Sequence, residues 1–83
     1  MNTIIRVFLK HIHPRTKRVS WDDIEPYKTG YKVHTETEAL DLVERTFSVR
    51  RFRWLGPAHY EAIDSGGVKD EFKLVSRPPC TGT

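Results

Sequence analysis

The 83-residue chain has the length of a single domain, and its hydrophobic fraction of 37% and charged fraction of 30% are ordinary for a folded globular protein. No apolar run is long enough to span a bilayer, and the single cysteine, Cys80, excludes both an internal disulfide and a zinc site built on cysteines. The net charge of +3 is a weak basic bias.

The charge is distributed in blocks. Residues 1–20 carry five basic side chains and no acidic one, residues 21–44 carry seven acidic and two basic ones, and residues 45–60 carry four arginines and no acid. Such blocks either neutralise one another in the fold or form separate surface patches.

The first segment, residues 3–13, alternates apolar and polar residues and predicts a strand with Ile5, Val7 and Leu9 on the core face. Residues 14–17 begin with a proline and predict a turn, and residues 18–22 return as a second strand. The following loop contains Pro26 and Gly30, which interrupt a regular ladder.

Residues 31–35 predict a short third strand that leads into the only helix. Thr35 and Glu38 have the spacing of a capping box, and an apolar stripe follows at helical spacing. The pattern predicts a helix over residues 36–47.

The remaining segments predict strands. Residues 49–55 form one strand, which continues over 58–64 after a break at Gly56-Pro57, and Ser65-Gly66-Gly67 turns the chain into a last strand over 70–76. We therefore expect an α+β domain over residues 1–76, in which one helix packs on a face of a small antiparallel sheet in the order β-β-β-α-β-β. Residues 77–83, with two prolines, are expected to form a flexible tail.

The chain lacks a recognisable catalytic motif. His11 and His13 point to one side of a strand, as two metal ligands would, but no second ligand motif accompanies them. There is no glycine-rich phosphate loop, nucleophile elbow or cysteine–histidine pair. We expect a protein that is not an enzyme and that uses no metal or cofactor.

The segment Arg50-Arg51-Phe52-Arg53-Trp54 is the sharpest candidate for a function. Arginines that alternate with aromatic residues can grip phosphates and stack on bases. The same alternation also describes any half-buried strand whose aromatic side chains lie in the core. A second basic group, at the first turn, can contact nucleic acid, contact an acidic protein or simply aid solubility.

The aromatic residues divide into expected core and expected surface. Trp21, Trp54 and Phe47 are predicted to lie in the core, because so small a domain needs large side chains there. Tyr27 and Phe8 are predicted to be exposed and to serve as apolar anchors for a partner.

The chain resembles the anti-CRISPR proteins, which are small phage-encoded inhibitors of bacterial immunity, and is similar to one type I-F inhibitor among them. The segments that carry the resemblance are IIRVFLKHI, TETEALDLVERTF, FRWLGPAHYEAID and EFKLVS. The stretch from Arg15 to Gly30 has no counterpart, and no functional residue is carried over. The resemblance implies a binder of a host defence complex.

We therefore expect a non-enzymatic, phage-type inhibitor that binds a bacterial CRISPR-Cas-like defence complex in the host cytoplasm and occludes a functional surface. The alternatives are a small nucleic-acid-binding regulatory or accessory module and a self-assembling structural component. No membrane contact is expected, and the protein is a monomer or a homodimer. The predicted partner-binding residues are Arg15, Lys17, Arg18, Arg50, Arg51, Arg53, Tyr27 and Phe8.

Overall fold

The computed structural model describes residues 4–77 and consists of one five-stranded antiparallel sheet with one helix across a face. The elements are β1 (Ile4–Ile12), β2 (Val19–Asp23), α1 (Glu36–Phe47), β3 (Val49–Gly56), β4 (His59–Asp64) and β5 (Lys69–Arg77). The strands lie in the order β2-β1-β5-β4-β3, so β2 and β3 are the two edges. The predicted α+β class is confirmed.

The order of the elements differs from the prediction in two places. Residues 31–35 are not a strand, and the chain reverses at Gly56-Pro57-Ala58, so that β3 and β4 form a hairpin instead of one broken strand. Ala58 has a positive φ of 55°, a conformation that a reversal demands and that an alanine rarely adopts. The observed order is therefore β-β-α-β-β-β.

The segment between β2 and the helix still lies along β1 without forming a ladder. The Val33 carbonyl accepts a hydrogen bond from the Ile5 N–H at 2.9 Å, and the Tyr31 hydroxyl accepts one from the Val7 N–H at 2.9 Å. A side chain thus takes the place of a backbone carbonyl, which explains why a β-like sequence fails to become a regular strand.

The helix occupies the predicted residues and has the predicted cap. The Thr35 side chain accepts from the Glu38 N–H at 3.1 Å, which satisfies one of the free amide groups of the first turn. The helix ends at Ser48, which adopts the left-handed conformation, and its N–H donates to the Glu44 carbonyl.

The core lies between the helix and the sheet. Strands β1 and β5 supply Ile5, Val7, Phe72 and Leu74, as their alternation requires. The remaining buried residues come from the helix, the loop before it and the other strands, namely Ile24, Tyr31, Val33, Ala39, Leu42, Val43, Val49 and Ala62.

Two of the three predicted core aromatics lie elsewhere. Trp21 is half-buried on the face of the sheet opposite the helix, because it is paired with Lys10, whose side chain alternates with the core residues of β1. Trp54 is 66% exposed on the edge strand β3. Phe47 does pack against the core, with its ring centroid 5.3 Å from that of Phe72.

The last strand reaches one residue into the predicted tail. Strand β5 extends through Arg77, the first residue of the predicted tail, and residues 78–83 lie outside the described part of the chain. Within residues 4–77, no helix is long and apolar enough to cross a membrane.

Candidate interaction surface

The six basic residues predicted to bind a partner form two separate groups. The turn cluster, Arg15, Lys17 and Arg18, lies between β1 and β2, and the β3 cluster, Arg50, Arg51 and Arg53, lies on the opposite edge strand. Strands are spaced about 4.8 Å apart, so the two edge strands are roughly 19 Å apart across the sheet. A partner that touches both clusters must therefore bridge the sheet.

The turn cluster is built on a tight backbone reversal. The His13 carbonyl accepts from the Lys17 N–H at 2.9 Å, and His13 Nδ1 accepts from the backbone N–H groups of Arg15 at 3.2 Å and Thr16 at 3.4 Å. Lys17 has a positive φ of 60°. All residues from His13 to Arg18 are exposed, so the three cations project into solvent.

The β3 cluster is divided by the alternation of the strand. Arg51 and Arg53 are paired with Ile63 and Glu61, on the face opposite the helix, while Trp54 is paired with Tyr60 on the helix side. The ladder is irregular at Arg50 and again just before Gly56. Between the irregularities, four residues in regular register place two exposed arginines on one side of the edge and an exposed tryptophan on the other.

The two predicted aromatic anchors lie on different layers. Tyr27 is 61% exposed, as predicted, and its ring packs on Phe47 beside the helix, with centroids 5.2 Å apart. Phe8 is half-buried, so its predicted exposure is only partial, and it lies between Asp23 and Lys73 on the side without a helix. One flat partner surface cannot cover both rings.

The side of the sheet opposite the helix is here called the open face. Among the described residues it has no covering element, and its side chains come from all five strands. It consists of Arg6, Phe8, Lys10, Ile12, Val19, Trp21, Asp23, Arg51, Arg53, His59, Glu61, Ile63, Lys69, Glu71, Lys73 and Val75.

One end of the open face is held by an ion-pair network. Arg6 Nε donates to Asp23 Oδ2 at 2.8 Å, Arg6 Nη2 donates to Glu25 Oε2 at 3.1 Å, and the Tyr31 hydroxyl donates to Asp23 Oδ1 at 2.9 Å. Partial burial of Asp23 disfavours its charge, but the hydrogen bonds from Arg6 and Tyr31 outweigh this effect, so the pKa of the carboxyl is lowered. Burial raises the pKa of Tyr31 to about 12. Arg6 is therefore neutralised locally.

A second network lies in the middle of the open face. Glu71 Oε2 contacts Lys10 Nζ at 3.2 Å and His59 Nε2 at 3.3 Å. Desolvation opposes the ionisation of Glu71, but the hydrogen bonds from Lys10 and His59 prevail, and the pKa of the carboxyl is lowered. Lys73 Nζ lies 4.4 Å from the centroid of the Trp21 ring, which fixes the indole on this face.

Glu61 lies between this network and the β3 cluster. Its Oε1 atom is buried and has no hydrogen-bond partner in the described structure, and Arg53 Nη1 approaches it only to 4.0 Å. Two open depressions, of about 340 and 370 Å³, border Glu61 and Lys69. This part of the face therefore combines the carboxylate of Glu61 with the neighbouring cations Arg53 and Lys69.

Over residues 4–77, no three histidine, cysteine, aspartate or glutamate side chains gather in a group able to hold a metal ion. His13 Nδ1 accepts from backbone amides of its own turn, and His13 lies beyond the end of β1, so the two histidines do not sit on one regular strand.

Sequence reasoning missed Trp54 as a surface residue and Lys69 as a neighbour of Arg51 and Arg53. Trp54 alternates with arginines, a pattern that fits both a buried residue of a central strand and an exposed residue of an edge strand. Only the strand order decides between these positions. Tyr60, its cross-strand neighbour, donates to Glu36 Oε1 at 2.7 Å, while Trp54 itself stays 66% exposed.

Comparison with known protein families, curated proteins and solved structures finds no match to this chain.

Proposed function

We propose that this protein is a non-enzymatic inhibitor of phage type, which binds a bacterial defence complex of the CRISPR-Cas kind and blocks one of its functional surfaces. The observation that carries the proposal is the β3 edge, where Arg51, Arg53 and Trp54 are exposed together on a strand that borders a helix-free face. Arginine and tryptophan are the residue types that contribute most to protein interfaces.

The charges of the open face favour a protein partner. Glu61 and Glu71 lie in its middle, and the cations Arg6 and Lys10 are already paired with carboxylates. A phosphate backbone laid across this face would meet those carboxylates, whereas a protein surface can present donors and acceptors in a matching pattern. The class of partner, a bacterial defence complex, comes from the resemblance to anti-CRISPR proteins.

A nucleic-acid-binding module is the second candidate, and the exposed indole of Trp54 beside arginines is the observation that favours it. Bases can stack on such a ring while the arginines contact phosphates. If the three arginines of the β3 cluster each neutralise one phosphate of a single strand, the logarithm of the binding constant falls with the logarithm of salt with a slope of about −2.

The test is an affinity pull-down of the tagged protein from a bacterial lysate, with and without nuclease, followed by mass spectrometry. The proposal predicts that the subunits of one defence complex are recovered in stoichiometric ratio after nuclease treatment. Recovery that vanishes with nuclease, together with a steep salt slope, would support the nucleic-acid module instead.

A further inference from the structure

We infer that the outer edge of β3 is a strand-addition site, which takes an extended segment of the partner with acidic and apolar residues in alternation. This inference rests on the proposed function, since it names the way in which the protein would engage its protein partner. Extended peptides that join a sheet edge gain main-chain hydrogen bonds, and their side chains alternate between the two sides of the sheet.

The edge is available for pairing. Strand β3 ends the sheet and pairs only with β4 among the described elements, so the other side of its backbone presents unpaired groups. The helix contacts β3, but Arg51, Arg53 and Trp54 remain exposed, and Trp54 is 66% exposed. The regular stretch from Arg51 to Trp54 is as long as a short added strand.

The opposite side of the sheet is protected over part of its length, where β1 extends past β2. There, three hydrogen bonds cover the backbone of β1. The Ile5 N–H donates to the Val33 carbonyl, the Val7 N–H donates to the Tyr31 hydroxyl, and the Ile24 N–H donates to the Val7 carbonyl. The chain thus covers this part of β1 with its own loop, whereas β2 and the arginine-bearing β3 each pair with only one strand among the described elements.

A second copy of the chain fits this edge poorly. An antiparallel pairing of β3 with itself about a two-fold axis makes the two open faces continuous, since residues that face each other lie on the same side. Arg51 and Arg53 would then lie opposite Arg51 and Arg53 of the copy, and like charges in opposed positions are destabilising.

Charge and hydrophobicity define the segment that does fit. Positions opposite Arg51 and Arg53 call for glutamate or aspartate on the open face. Positions on the other side meet Phe52 and Trp54 and call for apolar side chains, because Trp54 is 66% exposed there. The occupant is an acidic–apolar β-segment of a protein.

The test uses a synthetic eight-residue peptide of alternating glutamate and valine, titrated into the isotope-labelled protein and followed by amide chemical shifts. We expect saturable shifts that are largest at residues 51–54. The corresponding lysine–valine peptide should bind about tenfold more weakly, because favourable cross-strand charge pairs are replaced by repulsive ones. The glutamate–valine peptide N-methylated at every residue keeps the charges but cannot donate main-chain hydrogen bonds, and it should not bind.

Two variants sharpen the test. The double variant Arg51→Glu/Arg53→Glu should reverse the preference between the two peptides, whereas Arg15→Glu/Arg18→Glu, which has the same charge change at the turn cluster, should keep it. Absence of saturable shifts with the glutamate–valine peptide, shifts centred away from β3, or equal binding of the N-methylated peptide would overturn the inference.

The outcomes separate this inference from the proposed function. If the peptide fails but the pull-down recovers a defence complex after nuclease treatment, only strand addition is wrong. If the peptide binds at β3 but the pull-down recovers no defence complex, the edge site stands and the proposed inhibitor function is wrong.

Discussion

The hydroxyl of Tyr31 joins the loop before the helix to the first strand, and its removal in Tyr31→Phe is the most informative change in the core. The hydroxyl accepts from the Val7 N–H at 2.9 Å and donates to Asp23 Oδ1 at 2.9 Å. The ring, which stays in the variant, contributes to the core and lies under the Arg6 guanidinium at 4.2 Å from the ring centroid. The substitution therefore removes two hydrogen bonds and little packing.

The magnitude follows from the burial of the two partners. Val7 is fully buried, so in the variant its N–H has neither the hydroxyl nor water as an acceptor, and leaving this donor unsatisfied costs about 1–3 kcal/mol. The side chain of Asp23 is 26% exposed, so water restores part of the second bond, and its loss costs about 1 kcal/mol. We expect a total loss of about 2–4 kcal/mol, out of the roughly 4–12 kcal/mol expected for a domain of this length.

The assay is urea unfolding followed by tryptophan fluorescence, with Tyr27→Phe as the matched control. Tyr27 is exposed and its side chain contributes a ring contact with Phe47, so its hydroxyl should be worth less than about 0.5 kcal/mol. A loss below about 1 kcal/mol in Tyr31→Phe would refute the argument that this hydroxyl replaces a strand at the edge of β1.

Two further changes test the helix cap and the ion-pair network. Thr35→Ala removes the acceptor of the Glu38 N–H and should lower the free energy of unfolding by about 1 kcal/mol, while the exposed Thr37→Ala should have a smaller effect; equal effects would contradict the cap. The lowered pKa of Asp23 gives stability that is present above its unfolded pKa near 3.8 and is lost as the pH falls through the folded pKa. The stability difference between the wild type and Asp23→Asn in acid unfolding should therefore shrink below about pH 4, and a difference that grows on acidification would contradict the assigned direction.

The helix and most strands could be predicted because their signals are local. The Thr35 cap and the apolar stripe define α1 at the predicted residues, and alternation identifies the core face of β1. The strand predicted over residues 31–35 is wrong for a physical reason: the Tyr31 hydroxyl supplies the hydrogen-bond acceptor that a strand backbone would otherwise supply. The local sequence pattern is the same for a strand paired through its backbone and for a loop bonded through a tyrosine side chain.

The surface was harder to predict because it depends on strand order. Arg18 and Arg51 can lie in one patch only if β2 and β3 are neighbours, and in the structure these strands are the two opposite edges. The burial of Trp54 was predicted wrongly for the same reason, since an aromatic residue that alternates with arginines is core in a central strand and exposed in an edge strand. Long-range pairing, rather than composition, decides which residues of this chain can meet a partner.

The most direct test of the proposed inhibitor function is the nuclease-treated pull-down carried out in parallel with the wild type, Arg51→Glu/Arg53→Glu and Arg15→Glu/Arg18→Glu, each checked for cooperative unfolding. The account predicts that the wild type and the turn-cluster variant recover the same defence complex and that the β3 variant recovers none of it. Equal recovery by all three proteins, or recovery by none after nuclease treatment, would contradict it.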